Sequence, residues 1–124
     1  MILCDDAPGF RALMIALLGE AGLDIAGQGE TWEDAERLAP GADVVVVDLW
    51  MPELDIAALG RIRASAPRAT LVVLTALAAG LAAEHVAPVT VDLLLSKSAP
   101  PAETAAAIAA HARGSDAPPE PELL

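Results

Sequence analysis

Four consecutive valines, Val44 to Val47, run straight into Asp48-Leu49-Trp50-Met51-Pro52. An unbroken β-branched run leaves no polar position to face water, so it predicts a strand covered on both faces. That environment is typical of a parallel sheet sandwiched between helices. Pro52 has no N–H for a ladder, so the chain must turn there. Asp48 then stands at a strand's carboxyl end, the edge at which open α/β sheets gather their ligands.

The flanking segments follow the same logic. Ile2-Leu3-Cys4 is a short apolar strand that runs directly into Asp5-Asp6. Pro8 suits the first turn of a helix. Phe10, Leu13, Met14, Leu17 and Leu18 continue at helical spacing until Gly22,. Residues Leu23 to Gln28 read as a weaker edge strand. Thr31 and Asp34 form a capping pattern for a short helix that stops before Pro40-Gly41, in which Trp32 reads as packing. The central strand, Asp43 to Asp48, precedes a helix from Asp55 to Ser65 that carries Ile56, Leu59 and Ile62 on one face. Leu71 to Leu74 form a fully apolar strand ending in Thr75. Residues 78 to 87 are weakly helical, limited by Gly80 and Pro88. Val91 to Leu95 make a fifth strand ending near Lys97, and Pro100-Pro101 open a last helix through Arg113. The strict alternation predicts one α/β domain over residues 1–113: a doubly wound, five-stranded parallel sheet with helices on both faces. Residues 114–124, with Pro118, Pro119, Pro121, Asp116, Glu120 and Glu122, read as an acidic linker or tail.

Composition narrows the function. The 124-residue chain carries a net charge of −11, which repels nucleic-acid phosphates and argues against direct DNA or RNA binding by this segment. No apolar run reaches the length of a membrane span, and Asp5 and Asp6 replace the basic start of a secretion signal. The expectation is a cytoplasmic domain without membrane contact. A single cysteine, Cys4, excludes an internal disulfide and reads as a small core residue,. His85 and His111 lie far apart in sequence and read as surface or structural residues.

In a parallel sheet, the ends of the strands place Asp5, Asp6, Asp48, Thr75 and Lys97 on one edge. Three carboxylates drawn together raise one another's pKa unless a cation lies among them. Hard oxygen ligands with room for water suit Mg²⁺. A hydroxyl and an ammonium beside them complete a pocket for a transferring phosphoryl group, with a carboxylate able to act as nucleophile.

The set Asp5-Asp6, Asp48-Leu49-Trp50-Met51-Pro52, Leu74-Thr75-Ala76 and Lys97 resembles the receiver domain of two-component response regulators, over about residues 1 to 113. Arg68-Ala69 and Ala99-Pro100-Pro101 give it the flavour of the NarL/FixJ type. The resemblance implies a flavodoxin-like (βα)5 fold with strand order 2-1-3-4-5. It implies that Asp48 is the phosphoacceptor and that Thr75 and Lys97 bind the phosphoryl oxygens. Mg²⁺ would be held by Asp6, Asp48 and the backbone carbonyl of Trp50, with Asp5 assisting. The protein would be a switch, not an ordinary enzyme, catalysing its own phosphorylation and slow dephosphorylation. The implied partners are a sensor histidine kinase, a second copy of the chain in a homodimer, and a carboxyl-terminal helix-turn-helix domain beyond this segment.

Several positions depart from the family pattern. Leu94 replaces the usual aromatic residue before the lysine, Thr90-Val91 the usual Gly-Ala, and Ile56 a frequent glycine. The expectation is an altered readout through the fourth helix, or partial uncoupling from Asp48. Trp50 and Leu77 flank the phosphoryl position and would shield it from water, giving a long-lived phosphoryl form. Two other functions compete. One is a phosphorylation-independent receiver acting as an interaction or dimerisation module. The other is a Mg²⁺-dependent phosphatase, disfavoured because Trp50 stands where a second acid is needed.

Overall fold

A computed structural model describes residues 1–51, 53–76 and 79–116, with only the backbone course for 79–81 and 113–116. The turn at Pro52, Leu77 and the tail from 117 to 124 lie outside the described residues. The elements are β1 (Ile2–Cys4), α1 (Pro8–Glu20), β2 (Gly27–Gly29), α2 (Trp32–Leu38), β3 (Val44–Asp48), α3 (Ile56–Ser65), β4 (Thr70–Thr75), α4 (Ala79–Val86), β5 (Leu93–Ser96) and α5 (Pro101–Asp116). All ladders are parallel and the sheet order is β2-β1-β3-β4-β5.

The valine run is buried along its whole length, and its period-two alternation splits the core into two layers. Val45 and Val47, with Ile2, Cys4, Leu71 and Val73, meet Trp32, Ala35, Leu59 and Ile62 of α2 and α3, and Ala82 and Val86 of α4. Val44 and Val46, with Leu3, Val72 and Leu74, meet Met14 and Leu18 of α1 and Ala105, Ile108 and Ala112 of α5. Burying both faces of β3 leaves the ends of that strand as its polar outlets.

Local signals behave as their chemistry requires. Thr31 Oγ1 accepts from the Asp34 N–H at 3.1 Å, and the Asp55 carboxylate caps α3 by accepting from Ala58 N at 2.9 Å,. Gly22 ends α1 with φ near +90°, a conformation in which a Cβ is strained,. Gly29 is required for space: a Cβ there would stand 2.4 Å from Asp34 Cβ.

Three boundaries differ from those expected. Strand β2 is Gly27–Gly29 rather than Leu23 to Gln28, because β1 offers only Ile2, Leu3 and Cys4 as partners; Leu23 and Ile25 pack on the core instead. Strand β5 begins at Leu93, not Val91, in register with Val72. Helix α5 reaches Asp116, beyond Arg113; Gly114 lowers helix stability by roughly 1 kcal/mol but does not terminate a helix.

Arg63, on the far side of the molecule from Asp48, holds three chain segments together. Its guanidinium donates to the Asp92 carboxylate at 3.0 Å, to Thr90 O at 3.3 Å, to Ala66 O at 2.8 Å and to Ala69 O. Asp92 Oδ2 also accepts from Leu71 N at 2.8 Å. Burial works against the Asp92 charge, but the Leu71 N–H and Arg63 outweigh it and hold the carboxyl below its ordinary range. This clasp fixes the start of β4 against the approach to β5. Arg63→Ala should therefore lower the unfolding free energy by about 2–3 kcal/mol, measured by urea denaturation, with faster amide exchange at Leu71. A loss below about 0.5 kcal/mol would show the clasp to be ordinary surface pairing.

Candidate functional site

The strand ends bring the predicted residues together. Asp5 follows β1 and is fully buried, while Asp6 is exposed. Asp48 closes β3 at 4% exposure, and Thr75 closes β4 fully buried. Lys97 follows β5, its N–H donating to Thr75 O at 2.7 Å. One oxygen each from Asp5, Asp6 and Asp48 can be chosen so that all lie within 4.8 Å of one another.

The charges are arranged with little freedom. Lys97 Nζ lies 2.9 Å from Asp5 Oδ2 and 3.5 Å from Asp48 Oδ2. Asp5 Oδ1 accepts from Ala7 N at 2.8 Å, and Asp48 Oδ1 accepts a longer bond from Trp50 N at 3.3 Å. Burial foremost, then the neighbouring Asp5 carboxylate, push the Asp48 carboxyl up to about 6 against the pull of Lys97. Burial disfavours the Lys97 charge too. The Asp5 hydrogen bond and the attraction of both carboxylates outweigh it and hold the ammonium above the ordinary lysine range. One ammonium thus faces three carboxylates, and the site remains short of positive charge. A hard divalent cation fits that deficit and those oxygen donors. Asp5, Asp6 and Asp48 are the side chains whose oxygens could meet around one.

Three contributors were not legible in the sequence. Phe10, which there reads as a core residue of α1, lies under Lys97, with Nζ 4.4 Å from the ring centroid,. Arg11 braces the β1–α1 loop by donating to Asp5 O and, at 2.9 Å, to Gln28 Oε1. His85 of α4 meets Trp50 edge to face, with ring centroids 6.1 Å apart at 71°. The Trp50 indole is 36% exposed, and Leu94 packs against the core. Cys4, just before Asp5, is fully buried. Desolvation foremost, aided by the Asp34 charge, raises its thiol to about 12. A cavity of about 560 Å³ opens at the opposite edge of the sheet, lined by Asp43, Arg68 and Thr70 among others. It lies away from the carboxylates, whose chemistry, not cavity size, marks the site.

With this geometry in view, comparison with known proteins identifies the fold's lineage. The family model of the response regulator receiver domain matches residues 1–109. The chain belongs to that family. The receiver is similar to the two-component response regulator of the LuxR family from Aurantimonas sp. SI85-9A1, with 27% identity over 91% of this chain and 84% of that one, at a TM-score of 0.79. It is similar to the signal receiver domain of the response regulator NarL from Mycobacterium tuberculosis, with 22% identity, coverage of 91% and 94%, and a TM-score of 0.75. A response regulator from Burkholderia pseudomallei, solved with a phosphorylated aspartic acid, calcium ion and citrate, has 22% identity, coverage of 99% and 75%, and a TM-score of 0.73. No curated protein matches the chain. Among the described residues, no helix of the receiver is long and apolar enough to cross a membrane.

The raised Asp48 value gives a signed prediction. The folded-state value of about 6 lies above the ordinary 3.8, so between them the native protein holds a proton that the unfolded chain releases. Stability therefore falls as pH rises through that window and stays reduced above it. Asp48→Asn should flatten this slope and raise the stability of the Mg²⁺-free protein at neutral pH by about 1–3 kcal/mol. An intact slope, or a variant less stable than the parent, would show that Lys97 already compensates the charge.

Proposed function

We propose that this receiver is a phosphorylation-controlled switch whose acceptor is Asp48. The observation that carries the reading is the Lys97 ammonium shared between Asp5 and Asp48 at an edge that also holds Asp6 and Thr75. The donor is a phosphohistidine on a sensor histidine kinase. An Asp48 oxygen attacks phosphorus, the O–P bond forms and the P–N bond breaks. The imidazole leaves with the electron pair and takes up a proton. Lys97 swings its positive charge onto a phosphoryl oxygen without leaving Asp5, and Thr75 donates its hydroxyl proton to another. Asp6, Asp48 and the Trp50 carbonyl, with Asp5 assisting, would hold Mg²⁺, which would supply the remaining charge neutralisation. Water later attacks the acyl phosphate, so the protein resets itself slowly.

The phosphorylated aspartic acid and calcium ion of the Burkholderia protein support this reading of the acid cluster. A structural neighbour from Staphylococcus aureus is a DNA-binding response regulator of the LuxR family, which supports a helix-turn-helix output domain in a cytoplasmic transcription regulator; pairing as a homodimer belongs to the same reading. A phosphorylation-independent interaction module is the second reading. It is favoured by Leu94, which fills core space where the family usually has a ring.

The test is intact mass after incubation with Mg²⁺ and a small-molecule phosphodonor. The parent should gain one phosphoryl group, abolished by EDTA and by Asp48→Ala. Lys97→Ala should retain less than about a tenth of the rate, consistent with loss of one electrostatic contact. No adduct on the folded parent, from either the small donor or a cognate kinase, would leave the interaction module as the function.

A further inference from the structure

The chain has three aromatic residues in all, Phe10, Trp32 and Trp50. Each has a distinct task. Phe10 lies beneath Lys97. Trp32 is buried, with its indole N–H donated to Glu53 O. Trp50 joins the loop after Asp48 to α4, through its edge-to-face contact with His85. Leu94 on β5 carries no ring, so a lever of the kind usually placed there is absent from this sequence.

We infer that the Trp50–His85 contact is the element that couples the state of Asp48 to α4. This rests on the phosphoacceptor reading above. The backbone of Trp50 is held by Asp48 itself, through the N–H bond to Oδ1 at 3.3 Å. That bond is long, and it depends on the charge carried by the oxygen. When the carboxylate is esterified, its accepting oxygen becomes that of a neutral acyl group and binds an N–H less strongly. Trp50 then follows a different partner, and its ring leaves the imidazole. Helix α4 is poised to respond. Among the described residues, Ala82 and Val86 are its buried side chains, and Gly80 and Pro88 keep its own stability low. His85 is exposed on the outer side of the helix, so the contact adds to α4's anchorage without being part of the core.

The experiment uses Mg²⁺ with beryllium fluoride, a mimic of the acyl phosphate. Binding is read by fluorine NMR, and α4 by hydrogen exchange over residues 82–86. Binding should speed exchange in the parent. His85→Ala should bind the mimic equally well, exchange about 2- to 10-fold faster at rest, and show no further change on binding. His85→Phe, which keeps a ring at the contact, should restore the parent's behaviour. A His85→Ala protein whose α4 still responds as the parent's does would overturn the coupling. So would a His85→Phe protein that behaves like His85→Ala. If the fluorine signal shows no bound mimic in any variant, the phosphoacceptor reading fails and the coupling falls with it. Exchange and binding are read separately, so the two failures are distinguishable.

Discussion

One ammonium between two buried carboxylates ties the first strand of the sheet to the last. Lys97 reaches from the end of β5 to Asp5 at the end of β1, passing Asp48 on the way. Breaking such a pair would leave buried charge uncompensated, at a cost of roughly 3–5 kcal/mol. The sheet order makes the bridge possible. With β3 and β4 between them, β1 and β5 are close enough for a single lysine to span the gap. The same order puts the Asp48 carboxylate beside the bridge. Fold and site are thus held by one set of contacts, and any change in the charge on Asp48 must be felt at the ends of both β1 and β5.

The layers below that edge explain why the charged side chains gather there. Every strand residue between Val44 and Val47 is committed to one of two apolar layers, so polar atoms can emerge only at the ends. At one end they form the carboxylate cluster. At the other they form the Arg63 clasp, in which each polar group has partners within the protein. The first end keeps unneutralised negative charge, whereas the clasp pairs its carboxylate with a guanidinium. That contrast separates a site from a structural joint more clearly than cavity size does.

Much of this was readable from residues alone, for identifiable reasons. Val44–Val47 could be nothing but a doubly buried strand, and parallel topology then fixed the shared edge of Asp5, Asp48, Thr75 and Lys97. Capping by Thr31 and the stop at Gly22 are local chemistry and behaved locally. The extent of β2 was not readable, because its length is set by a partner strand distant in sequence. Arg63 with Asp92, Phe10 with Lys97 and His85 with Trp50 were invisible for a related reason: each joins segments whose proximity exists only after the sheet has formed. The receiver fold is kept at 22% sequence identity with a TM-score of 0.75, as expected when layer polarity and a few edge residues carry the specification.

Cys4 has a practical consequence. Its thiol sits one residue from the acid cluster, yet it is buried in the opposite layer and raised to about 12, so almost none is thiolate at neutral pH. It is a poor nucleophile and does not oxidise readily. The natural chain is therefore silent towards maleimides and similar reagents while folded. A cysteine introduced on the solvent side of any helix would be its sole reactive thiol, and a probe could be placed there without first removing the native one.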